Sequence, residues 1–230
     1  MSQLISGQRH GWTADQELVI KALQRSKKSL NTADTEELGD YLRAMPEESL
    51  SGVVSNVKGI YHEFLIRRAE NADKDEVRAQ VFEATNHPGA DIEFTIDGAL
   101  VREVQAKAVQ SPQAIFAHFE AYPDTDVLAT SEVTEILKGA FGDKVSDSGF
   151  RNESLTRETE DTFADIMGDR RVLDFVEDGV LTSPLLTAAV AARGILNGAP
   201  PSKDDIREML ELAGVAVATG YAVEIVLDLL

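Results

Sequence analysis

HPGADIEFTIDGALVREVQAKAV, residues 87 to 109, is the stretch from which the rest of the chain is read. Pro88-Gly89 is turn chemistry. Residues 91–96 (DIEFTI) alternate polar and apolar, the pattern of a strand with one buried face. Asp97-Gly98 is a strong two-residue hairpin signal, and residues 99–109 supply the partner strand. Side chains alternate across a strand, so Glu103, Gln105 and Lys107 share one face while Val104 and Ala106 point to the core. Asp91, at the head of the first strand, faces that polar row. A carboxylate, an amide oxygen and an ammonium so placed can hold a hard divalent cation and set a positive charge beside a water or a phosphate.

On the N-terminal side, residues 79–85 read as a further strand. A long helix precedes it, expected over residues 47–71 with Pro46 at its first turn. Val53, Val54, Val57, Ile60, Tyr61, Phe64 and Leu65 form its apolar stripe. Gly59 inside this helix predicts close packing against a neighbour. Glu63 lies one turn further along the same side; on its own it reads as a solvated helix residue, and its position ahead of the hairpin is what makes it a site candidate. Residues 14–29 form an amphipathic helix. Asn31 or Thr32 is the expected cap of another helix over 35–44, and the first 45 residues read as a small helical cap.

On the C-terminal side, Ser111-Pro112 opens a helix carrying Ile115, Phe116 and Phe119. Residues 126–130 are a compact apolar strand, and Ser131 caps the helix that follows. The order helix, three strands, helix, strand, helix predicts an α/β fold: a mixed central sheet flanked by helices, over residues 46–142. Residues 143–182 are acidic and read as a loop and a weak surface helix. Residues 183–230 read as a C-terminal helical hairpin. Its small residues Gly214, Ala218, Gly220 and Ala222 suit close helix–helix contact, hence an oligomer interface; a homodimer is expected.

Composition removes several function classes. The 230 residues contain no cysteine, which excludes disulfides, thiolate catalysis and cysteine-ligated zinc. The four histidines (His10, His62, His87, His118) show no HExxH pairing. The opening MSQLISGQRHGW is too polar for a signal peptide. No apolar run approaches the roughly 18–20 residues of a membrane span, and a cytoplasmic protein is expected. The net charge is −18, divided as −5 over residues 1–110 and −13 over 111–230. A global basic footprint for nucleic acid is therefore absent, although a local basic cleft is compatible with these numbers.

Helix with Glu63, PGADIEF delivering Asp91, and VQAK on the next strand together resemble the PD-(D/E)XK nuclease superfamily, the restriction-endonuclease-like fold. The glutamine form of the last motif resembles its Mrr-like QxK branch. The resemblance covers about residues 50–140. It implies that Asp91 binds Mg²⁺ or Mn²⁺ directly, with the Gln105 side-chain oxygen and the Ala106 carbonyl as further ligands. Lys107 would orient or help deprotonate the attacking water and stabilise charge on the phosphate, and Glu63 would reach the metal through water. Gln105 stands where an acidic residue is usual in the superfamily, which removes one charge from the metal site; Glu103, two positions earlier on the same face, is the candidate to restore it, and Glu93 is a further one.

The implied function is a metal-dependent nuclease hydrolysing phosphodiester bonds in DNA, in defence, restriction or repair, with the C-terminal helices as a module for a protein partner. The alternative is a non-catalytic acidic interaction protein on a nuclease-like scaffold, acting by partner binding or nucleic-acid mimicry. A third reading, membrane activity through residues 183–230, has Glu224 and Asp228 against it.

Overall fold

The structure, a computed structural model, describes residues 11–84, 87–137 and 141–168. The elements run α1 (Ala14–Ser26), a 3₁₀ turn (Lys28–Leu30), α2 (Thr35–Arg43), α3 (Glu47–Ala72), β1 (Val77–Val81), β2 (Ile92–Ile96) and β3 (Ala99–Lys107). They continue with α4 (Gln113–Ala121), β4 (Asp126–Ala129), α5 (Ser131–Leu137), a 3₁₀ turn (Gly142–Lys144), β5 (Val145–Asp147) and α6 (Asn152–Met167). The expected hairpin over 183–230 and its interface lie outside the described residues. Among the described residues, no helix is long and apolar enough to cross a membrane.

The five strands form one mixed sheet in the order β1-β2-β3-β4-β5, antiparallel as far as β3 and parallel thereafter. The α/β fold with helices flanking a mixed sheet is thus as expected. The β2–β3 turn works as its dipeptide requires: Asp97 and Gly98 both take positive φ, 51° and 78°, the two-residue geometry that matches strand twist. The parallel β3–β4 pair needs a crossover, which α4 supplies.

Strand parity divides the core. Ile92, Phe94, Val104 and Leu128 are buried together with α1, α2, α3 and α6. Val127 and Ala129 point the opposite way and are buried; on that side lie the buried Ile115, Phe119, Val133, Leu137 and Phe141, with the Phe119 and Phe141 rings stacked at 5.0 Å. The apolar faces of the N-terminal helices belong to the same core as α3 and the sheet.

Three local expectations give way. The cap of α2 is Asp34, not Asn31 or Thr32: its carboxylate accepts from the Glu36 and Glu37 N–H groups, and Glu37 returns the bond to the Asp34 N–H. The segment after residue 142 is not loop and weak surface helix. It adds a fifth strand, and α6 buries Leu155, Thr159, Thr162, Phe163, Ala164 and Ile166. The threonines that make α6 look polar can be buried because the hydroxyls of Thr156, Thr159 and Thr162 each donate to the carbonyl one turn back, at 2.7–2.9 Å. Nor does Gly59 mark a close approach, since a Cβ there would meet nothing within 4 Å. Gly59→Ala is therefore expected to stabilise the protein by about 1 kcal/mol through helix propensity alone, raising Tm by about 2–4 °C. An unchanged or lower Tm in thermal denaturation would show that the helix needs glycine there.

Candidate functional site

Asp91 is placed by its own backbone before its side chain acts. Its N–H donates to the Val104 carbonyl (2.9 Å), and its carbonyl accepts from the Phe82 N–H (3.0 Å). It is therefore clamped between the end of β1 and the strand β3. The loop before it turns at Gly89, whose φ is 80°; a Cβ at that position would strike the Tyr122 ring at 2.9 Å, so residue 89 needs glycine on two counts. The end of α4 thus rests on the loop that delivers Asp91.

The side-chain cluster follows. Asp91 Oδ2 accepts from the Ala106 N–H at 3.0 Å and from Gln105 Nε2. Gln105 Nε2 also lies 3.3 Å from the Ala106 carbonyl. Lys107 stands close enough for its charge to act on Asp91. Glu63 comes from α3 and feels the Asp91 charge. The structure thus joins Asp91, Gln105 and Ala106 by hydrogen bonds and sets Glu63 and Lys107 within electrostatic reach of Asp91. Glu103 is different: it is exposed and lies opposite Glu93 in the β2–β3 register, two like charges side by side. Among the described residues no ion pair links it to Lys107.

The electrostatics are those of two carboxylates crowded under partial cover. Burial pushes the Glu63 carboxyl up to about 8, the Asp91 charge adds to the effect, and Arg25 opposes it. Asp91 is also held above the ordinary carboxylate range, first by burial; the Ala106 N–H, Lys107, Gln105 and Arg25 work against the rise. Mutual repulsion of two buried acids is relieved either by a proton or by a cation. The donors here are carboxylate oxygens, the Oε1 end of the Gln105 amide and a backbone carbonyl, all hard ligands of the kind Mg²⁺ and Mn²⁺ take. By donor type these residues suit such an ion, although it is the Nε2 end of the Gln105 amide that faces Asp91 in the structure.

Two participants escape sequence reading. Arg25, in the last turn of α1, donates through Nη2 to the Phe82 carbonyl; its Nε is buried without a partner. It lies against the Phe64 ring, 6.0 Å from the centroid, and its charge reaches both Glu63 and Asp91. His118, on α4, is buried with Nε2 unpartnered; burial and the adjacent Lys107 charge hold its pKa down. No local pattern announces either residue, because both reach the site through tertiary packing. His62, next to Glu63, belongs elsewhere: it is buried, with Nε2 at 2.8 Å from Ser148 Oγ, and burial takes its pKa down to about 4.

A second group of carboxylates, Glu70, Asp73 and Asp75, gathers oxygen atoms within 4.8 Å of one another and could hold a cation. It straddles the C-terminal end of α3, with Glu70 in the last turn about 10 Å along the helix from Glu63. Asp73 and Asp75 also cap the turn into β1, accepting from the Asp75 and Val77 N–H groups.

The burial of Glu63, with the Asp91 charge beside it, has a measurable consequence. In metal-free protein the folded carboxyl keeps its proton up to about pH 8, whereas the unfolded one loses it near 4.5. The folded state then binds more protons, so stability falls as pH rises through that window and levels off above it. Relative to Glu63→Gln, the wild type should lose stability progressively between these pH values in denaturant titrations with EDTA present. A difference independent of pH would contradict the raised Glu63 carboxyl. The chain matches no family model, no curated protein and no solved structure in the three comparisons.

Proposed function

We propose that this chain is a metal-dependent nuclease that hydrolyses phosphodiester bonds in DNA, on a restriction-endonuclease-like core. The observation that carries this reading is the meeting of Glu63 from α3 with Asp91, Gln105 and Lys107 from two adjacent strands, around hard oxygen donors. The element order α3-β1-β2-β3-α4-β4 supports it. Asp91, Gln105 and the Ala106 carbonyl would hold Mg²⁺ or Mn²⁺, with Glu63 adjacent. The ion, when bound, would acidify a water and polarise the phosphodiester. Lys107 holds an ammonium next to Asp91, where it donates a hydrogen bond to the attacking water and offsets charge gathering on the phosphate. Glu63, once ionised, accepts a hydrogen bond from water in the same place. Lys107 and Glu63 would thus divide between them the orienting of the nucleophile, the acceptance of its proton and the balancing of the charge it creates. Defence against foreign DNA, restriction and repair are the settings that suit such an activity.

A second reading, a non-catalytic interaction protein on the same scaffold, draws on one observation: the chain's own Gln105 and Ala106 N–H groups already satisfy Asp91 Oδ2. The two readings separate in one assay, incubation of supercoiled, linear and single-stranded DNA with Mg²⁺, Mn²⁺ or EDTA. The nuclease reading expects divalent-ion-dependent cleavage, reduced by about 10²-fold or more in Lys107→Ala with an unchanged melting temperature. Absence of cleavage with either ion on all three substrates would overturn it in favour of the interaction protein.

A further inference from the structure

Basic and acidic side chains are sorted to opposite ends of α1. At its N-terminal end a recess of about 470 Å³ is lined by Asp15, Glu158, Asp161 and Asp165 and by no cation. At its C-terminal end a groove of about 520 Å³ is lined by Lys21, Gln24, Arg25, Lys28, Asn31 and Glu83, with Phe64 in its wall. Three cations against one carboxylate is a local excess of positive charge in a chain whose net charge is −18. Lys21 and Lys28 are exposed, and among the described residues neither has an ion-pair partner. Arg67 sets a further cation over the Phe64 ring, at 5.2 Å from its centroid.

The groove shares Arg25 with the carboxylate cluster, since the charge of that side chain acts on both Glu63 and Asp91. Arg25 lines the groove and is fixed to the Phe82 carbonyl, one residue beyond β1. Phe64 in its wall is the neighbour of Glu63, and Glu83 and Ala84 belong to the loop that leads to Asp91. Lys21 and Arg25 are one helical turn apart, about 6 Å along the axis, close to the rise of two phosphates along one duplex strand, about 7 Å. We infer that this groove is the binding path for the DNA phosphate backbone, with Arg25 as the joint that carries the strand from Lys21 and Lys28 to the Glu63–Asp91 cluster. The inference rests on the nuclease reading for the identity of its occupant. It explains how an acidic protein can hold a polyanion: the attraction is local, and the acidic remainder of the surface repels DNA from every other approach.

The test measures binding apart from cleavage. The full chain, in EDTA, is titrated into a fluorescently labelled duplex of about 20 base pairs and into one of its single strands, between about 50 and about 200 mM NaCl. Lys21→Ala/Lys28→Ala is expected to weaken binding by about tenfold or more and to reduce the slope of log affinity against log salt by about 2, one for each phosphate that a lysine no longer neutralises. Lys21→Arg/Lys28→Arg should bind like wild type, and circular dichroism and melting should match for all three, as both lysines are exposed. Unchanged affinity and slope in the alanine variant, or no DNA binding by wild type, would overturn the groove. Neither result would touch the nuclease reading if metal-dependent cleavage persists; conversely, DNA held through these lysines but never cut would leave the groove standing and remove the nuclease.

Discussion

Glu63 and Asp91 put two acids close together under partial cover, and most of what surrounds them answers that constraint. The positive and donor groups nearby arrive from two elements: Arg25 from α1, and the Gln105 amide, the Ala106 N–H and Lys107 from the end of β3. Even with these, both carboxyls stay above their ordinary range. Buried carboxyls held above their ordinary range mark the pair as a candidate functional site.

The fold explains how the pair is held. Asp91 cannot drift, because its backbone is bonded on both sides, to β3 and to the residue after β1. Glu63 cannot retreat, because Val57, Ile60, Tyr61, Phe64 and Leu65 pin α3 into the core that it shares with the sheet and with α1 and α6. The packing of α3 therefore stores the electrostatic conflict at the site and offsets it with apolar burial along the rest of the helix. The same packing brings in α1, so that the N-terminal helices contribute both core surface and the cations beside the site.

Much of this architecture was readable from residues alone, and for identifiable reasons. The hairpin is written in strict alternation plus Asp97-Gly98, both of which act locally, and parity then places Asp91, Gln105 and Lys107 on one face without further information. The helix α3 is legible from its apolar stripe. What could not be read depends on distant partners. Arg25 is one cation among several near the end of α1, and only tertiary packing selects it. His118 lies in an apolar helix with nothing to distinguish it from a core residue. The α6 helix looked solvated because its threonines count as polar, yet their hydroxyls are satisfied one turn back and the helix is buried. Gly59 misled in the other direction, as its sequence context suggested a close contact and the helix meets open space there.

The proposed account turns on which carboxylates take a divalent ion, and calorimetric titration of the metal-free protein with Mn²⁺ near pH 8 addresses that directly. The account predicts binding that is lost in Asp91→Asn and retained in Asp73→Asn/Asp75→Asn. Binding that survives Asp91→Asn but disappears in the double variant would assign the ion to the cluster at the end of α3 and contradict the site proposed here.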